Sequence, residues 1–144
     1  MAHSDKGNYC KKHPEGTTVR EDLKQAILRQ TKNNLISCKA AEKIARTTGA
    51  PLGEIGVAID MLNIRIASCQ LGLFGFDDNQ KRVSAAEVVT PELENAIRQA
   101  LVNHCLSCLD AWKIANQLDI KRLDVSAACE KMQTKVKPCQ LGAF

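Results

Sequence analysis

"SCKAAEKIARTTGAPLGEIGVAID", Ser37 to Asp60, returns as "SCLDAWKIANQLDIKRLDVSAACE", Ser107 to Glu130, at an offset of 70 residues. The register needs no gap and widens in both directions. Upstream it pairs Leu23, Ala26, Ile27 and Asn33 with Leu93, Ala96, Ile97 and Asn103. Downstream it lays "CQLGLF", Cys69 to Phe74, on "CQLGAF", Cys139 to Phe144. An ungapped match over more than fifty residues reads as an internal duplication. Two copies fall short of the three a solenoid needs, so the expectation is two similar, pseudo-symmetric modules packed together.

Within each copy the apolar spacing predicts three helices and a strand. Thr18 with Glu21 three residues on has capping-box spacing, and Thr90-Pro91 opens the counterpart helix with a residue welcome at its first position. Leu23, Ala26 and Ile27, and their matches, form a helical stripe. Ser37 and Ser107 are N-cap residues for the second helix, with Asp110 placed to complete a capping box. On the third helix Ile55, Ala58, Ile59 and Leu62, matched by Val125, Ala128, Cys129 and Met132, define one buried face. "IRIASCQL" and "KVKPCQL" alternate like closing strands. After the turn cluster Asp77-Asp78-Asn79-Gln80, "KRVSAAEVV" reads as a returning strand, a wing. In the CQLG blocks Leu71/Leu141 and Phe74/Phe144 are expected in the core, with Gly72/Gly142 bending the chain.

The span Ala41–Asp60 resembles a helix-turn-helix. Ala45, Gly49 four residues on and Ile55 six further are the small residue, turn glycine and buried aliphatic that let two helices cross tightly. The second copy keeps Ala115 and Val125 and has Asp119 at the glycine place. With the strands that follow, both copies resemble winged-helix modules. The wider pattern is similar to a small prokaryotic family with CQLG-x-F after each repeat, a likeness that brings no biochemical role with it. The winged-helix resemblance implies duplex DNA as partner, with the third helix in the major groove.

In the first copy the groove-facing positions would be Pro51, Leu52, Gly53, Gly56, Val57 and Asp60, none able to make bidentate base contacts. In the second they are Lys121, Arg122, Leu123, Ser126, Ala127 and Glu130, a better set. The expected DNA contacts are therefore Lys121, Arg122 and Ser126, helped by Lys81 and Arg82 of the wing. Leu52, Gly53, Gly56 and Val57 form instead a flat apolar surface for close packing, because each helical glycine costs about 0.5–1 kcal/mol relative to alanine. That surface suits packing between modules, a homodimer or another protein.

Cys38/Cys108 and Cys69/Cys139 are matched pairs, and four thiolates are a conceivable metal or cluster set; cysteine as a small gap-filling hydrophobe is the competing reading. A helix N-terminus would lower the pKa of Cys38 or Cys108 and make it redox-active. Cys105 stands where the first copy has Leu35, so its C-x2-C with Cys108 is weak evidence for metal. No nucleophile–base constellation, dinucleotide fingerprint or Walker sequence occurs, so neither enzymatic activity nor a cofactor is expected.

Composition agrees with a globular protein: 44% hydrophobic and 25% charged residues. No apolar run approaches the roughly 20 residues that span a bilayer. "MAHSDKGNYCKKHPEG" has no apolar segment, so a cytoplasmic location without membrane contact is expected. Seven cysteines in a reducing compartment argue against a disulfide framework. The net charge of +4 is diffuse, which permits DNA binding without arguing for it.

The expected architecture is thus mainly α with small β. It comprises an N-terminal arm (1–17), a first winged-helix-like repeat (18–74), a wing or linker (75–89) and a second repeat (90–144). The leading expectation is a DNA-associated transcriptional regulator. The alternatives are a non-enzymatic protein-interaction module reusing the fold and a cysteine-based metal or redox sensor.

Overall fold

The computed structural model describes residues 8–144; the first seven residues of the expected arm lie outside them. The fold is mainly α with small β. Among the described residues the order is a 3-10 helix (Tyr9–Lys12), α1 (Glu21–Gln30), β1 (Leu35–Ser37), α2 (Cys38–Thr48), α3 (Leu52–Met61) and β2 (Arg65–Ala67), followed by α4 (Pro91–Ala100), β3 (Cys105–Leu106), α5 (Cys108–Leu118), α6 (Arg122–Lys131) and β4 (Lys135–Val136). Helices α1, α2 and α3 recur 70 residues later as α4, α5 and α6 with the same bounds.

Two compact units divide the chain. The first is the described part of Met1–Cys69 together with Gln140–Phe144, and the second is Gln70–Cys139. Both CQLG blocks are cut between cysteine and glutamine. The cysteine stays with its own repeat, and the Gln-Leu-Gly that follows belongs to the unit built by the other repeat.

In the first unit, Asn33 and Asn34 both take positive φ (51° and 62°) and reverse the chain after α1. Lys32 and Leu35 exchange both backbone hydrogen bonds at 2.9 Å across that turn, which launches β1. Strand β1 pairs parallel with β2, Ile36 opposite Ile66, and α2 and α3 supply the crossover that parallel pairing demands. Ser37 caps α2, its Oγ accepting the Ala40 N–H at 3.0 Å. Helix α2 ends at Gly49 in the left-handed region (φ 75°). The core is Leu23 and Ile27 of α1, Ile36 of β1, Ala41 and Ile44 of α2, and Ile55, Ala58 and Ile59 of α3.

The second unit repeats this plan with substituted parts. Asn103 and His104 make the reversal, Thr90 Oγ1 accepts the Leu93 N–H ahead of Pro91, and Ser107 Oγ accepts the Asp110 N–H. The Ser107 hydroxyl also bonds Asp110 Oδ2. Asp119 takes the same left-handed conformation as Gly49 (φ 53°), one of the few residue types that tolerate it. Leu93, Ile97, Leu106, Ala111, Ile114, Val125 and Ala128 fill the core, and Trp112 is buried with them.

Three local expectations change. Helix α1 begins at Glu21 rather than at Thr18, with no side-chain cap; residue 20 is extended and its guanidinium reaches Asp22 in the first turn. No strand forms over residues 75–90. The N–H groups of Arg82 and Val83 go to the Gly72 carbonyl (2.7 and 3.3 Å), and that of Ala86 to the Ala127 carbonyl, bonds that tie the stretch to a turn and a helix rather than to a strand. The CQLG blocks lie beyond the strands, in turns where Gly72 and Gly142 adopt φ 73° and 77°. Leu71 and Leu141 are buried as expected, whereas Phe74 and Phe144 are only half-buried.

Candidate functional site

Helical spacing sets Gly56 and Asp60, four residues apart, on one face of α3. In the first unit that face carries the Gln140–Phe144 segment. Gly56 is buried directly beneath it: a Cβ added there would stand 2.7 Å from the Leu141 carbonyl carbon and 2.9 Å from its Cα. Only glycine permits this approach of backbone to helix. Leu141 and Ala143 are both buried.

The arm locks the segment from the other side. Lys12 Nζ donates to the Gly142 carbonyl at 2.9 Å and pairs with Asp60 Oδ2 at 3.1 Å, while His13 Nε2 lies 2.8 Å from the same oxygen. The Asp60 side chain is only 5% exposed, and a carboxylate so far from water needs such partners. The Cys10 N–H donates to Asn63 Oδ1, fixing the 3-10 helix to the end of α3.

In the second unit the Gln70–Phe74 segment meets α6. Its glycine is held by backbone, the two N–H groups of Arg82 and Val83 converging on the Gly72 carbonyl. Leu123 Cδ1 lies 2.8 Å from where a Gly72 Cβ would stand. The Arg122 guanidinium donates to Gln70 Oε1 at 2.7 Å and lies 3.7 Å from the centroid of the Trp112 ring, a cation–π stack. Ser126 replaces Gly56. It is 1% exposed, and its Oγ, like Trp112 Nε1, has no hydrogen-bond partner among the described residues.

The 70-residue register also aligns Lys11-Lys12 with Lys81-Arg82. Residues 12 and 82 each secure the carbonyl of a CQLG glycine, one by side chain and one by backbone. Lys81 Nζ binds Glu130 at 2.8 Å, and Glu130 is the register mate of Asp60. The Lys11/Lys81 identity and the acid recurring at Asp60/Glu130 are the strap's signals in the sequence.

The residues expected to touch DNA include one exposed lysine and four residues with partners or burial within the second unit. Lys121 is exposed at the N-cap of α6, where its N–H donates to Asp124 Oδ2. Arg122 is committed to Gln70 and Trp112, and Ser126 is enclosed. Lys81 holds Glu130, and Arg82 bonds Asp78 and lies 4.6 Å from the centroid of the Phe76 ring. The Arg82 hydrogen bond draws the Asp78 carboxyl below its ordinary pKa. Of the expected apolar surface, Gly56 is enclosed, Leu52 and Val57 are half-buried, and Gly53 faces open space.

Cys38 and Cys69 fall in the first unit and Cys108 and Cys139 in the second. None of the seven cysteines is in a disulfide. Among the described residues no three His, Cys, Asp or Glu side chains gather as one metal ion would require. Cys129, in the core on α6, has its thiol pKa pushed up to about 11, by burial first and by the neighbouring Glu130 charge second. A cleft of about 330 Å³ in the first unit is lined by Thr18, Val19, Arg20, Leu23, Glu54, Val57 and Ala58. Among the described residues no helix is long and apolar enough to cross a membrane. Comparison of the chain with protein-family models, curated proteins and solved structures finds no match.

Proposed function

We propose that this chain is a non-enzymatic protein-interaction module whose α3 face recognises a short Gln-Leu-Gly segment of polypeptide. The observation that carries the reading is the bare backbone of Gly56 beneath the Leu141 carbonyl, with Lys12 on the carbonyl of the next residue. A glycine inside a helix sacrifices about 0.5–1 kcal/mol, and close approach of another chain segment offsets that loss. The chemistry suits polypeptide: a donor for a backbone carbonyl and burial for one leucine.

The DNA-regulator reading would have α3 or α6 enter a groove with the faces that now hold the two segments. Gly56, Asp60, Arg122 and Ser126 would first have to surrender their present contacts. A single titration separates the readings. Duplex DNA at low salt is compared with a labelled peptide spanning Pro138–Phe144, both added to full-length Leu141→Asp protein, in which the chain's own segment is spoiled. Saturable peptide binding with no duplex binding is expected. Duplex binding that weakens steeply with salt and vanishes on charge reversal at Lys121 and Arg122 would overturn the proposal.

A further inference from the structure

Gln140–Phe144 reaches the first unit from the end of the second repeat, and the anchors of its Leu141 and Gly142 backbone belong to the first unit. Its anchors are Gly56 on α3 and Lys12 of the arm, itself tied to Asp60. None of these groups depends on which chain delivers the segment. Any chain presenting Leu141, Gly142 and Ala143 in the same bend satisfies them equally.

We infer that this segment is exchanged between copies, the α3 face of one chain accepting Gln140–Phe144 of a second copy to give a dimer. The inference rests on reading that face as a polypeptide-recognition surface. Two features of the approach favour exchange. Residues 132–139, between α6 and the segment, contain only the two-residue strand β4, and Gln133, Lys135, Lys137 and Pro138 are exposed. The stretch stays with the second unit through the β3–β4 pairing, the Lys137 N–H on the Leu106 carbonyl and the Cys108 N–H on the Pro138 carbonyl. Redirection therefore falls on the chain from Cys139 onward and leaves that core whole. The bound segment is also short, so its release opens few contacts.

The second unit behaves oppositely. There Gln70–Phe74 runs within a dozen residues into Arg82 and Val83, which cap its own glycine. That short local loop leaves the segment no route to another chain. Exchange is therefore confined to one site per chain. Two chains that trade one segment each satisfy both sites, which closes a twofold dimer rather than an open fibre.

Complementary damage tests this. Gly56→Ala places a methyl where the Leu141 carbonyl passes, closing the site while favouring the helix itself. Leu141→Asp spoils the segment and leaves the site intact. Each variant alone is expected to stay monomeric. Mixed in equal amounts, they should form a one-to-one heterodimer with twice the monomer mass by light scattering. Far-UV circular dichroism checks that each is folded, and Leu141→Ala replaces Leu141→Asp if the aspartate unfolds the chain. A mixture that keeps the monomer mass, at concentrations where the Pro138–Phe144 peptide saturates the Leu141 variant, overturns exchange and leaves the recognition reading standing. Failure of the peptide to bind the folded Leu141 variant overturns both.

Discussion

The two units hold the same Gln-Leu-Gly bend with different chemistry. In the first, a missing side chain at Gly56 lets backbone approach helix, and a Lys12–Asp60–His13 cluster secures it. In the second, Ser126 occupies the glycine place, and retention passes to two backbone N–H groups, the Leu123 contact and the Arg122–Trp112 stack. Backbone hydrogen bonds are indifferent to most substitutions, whereas a charge cluster around one buried carboxylate is not. The first grip is therefore the one that single substitutions should break.

The largest separation is expected between Asp60→Ala and Glu130→Ala. Asp60 is enclosed with two basic partners, and losing it strips the arm of its anchor, a cost of roughly 2–4 kcal/mol. The Glu130 side chain is 31% exposed, and its bond to Lys81 should be worth under about 1 kcal/mol. Urea unfolding of the two variants gives both values, and equal losses would erase the distinction.

Next comes the pair Gly56→Ala and Ser126→Ala. The first evicts Leu141, losing roughly 1.5–3 kcal/mol of burial against about 0.5–1 kcal/mol of helix gain. The second removes an unpartnered buried hydroxyl and should be neutral or mildly stabilising, by up to about 1 kcal/mol. Opposite signs in thermal unfolding sharpen the contrast; a destabilised Ser126 variant would show the hydroxyl to be engaged.

The smallest expected effect concerns Cys129, whose register mate is Ile59. Burial raises its thiol pKa from 9.0 to about 11, so folding favours the protonated form. That stabilisation is complete below the unfolded value and is lost as pH rises through the folded one. By about pH 10 the loss should be on the order of 1 kcal/mol, and Cys129→Val should lack this alkaline decline. Parallel pH profiles for the wild type and the variant would contradict the assignment.

Local structure was readable where a residue type and its role lie within a few positions. Ser37, Thr90 and Ser107 cap the helices they were expected to cap, and the stripe through Ile55, Ala58 and Ile59 is the buried one. Thr18 failed because the extended Arg20 stands between it and the helix, tied to Asp22. What the sequence could not disclose was pairing at long range. Gly56 was marked as a place for close packing, but nothing local links it to Leu141, eighty-five residues away. The wing fails for a related reason: the alternation in "KRVSAAEVV" suggests a strand, while the N–H groups of Arg82, Val83 and Ala86 go to the distant Gly72 and Ala127 carbonyls.

The central claim is that the α3 and α6 faces are each closed by a Gln-Leu-Gly segment. Proton–proton Overhauser contacts in isotope-labelled protein test it most directly. Cross-peaks from the Gly56 Hα to Leu141 and from Gly72 to the Leu123 methyls are predicted, with the first set lost in Gly56→Ala and the second kept. Absence of both sets in the folded wild type would contradict the account.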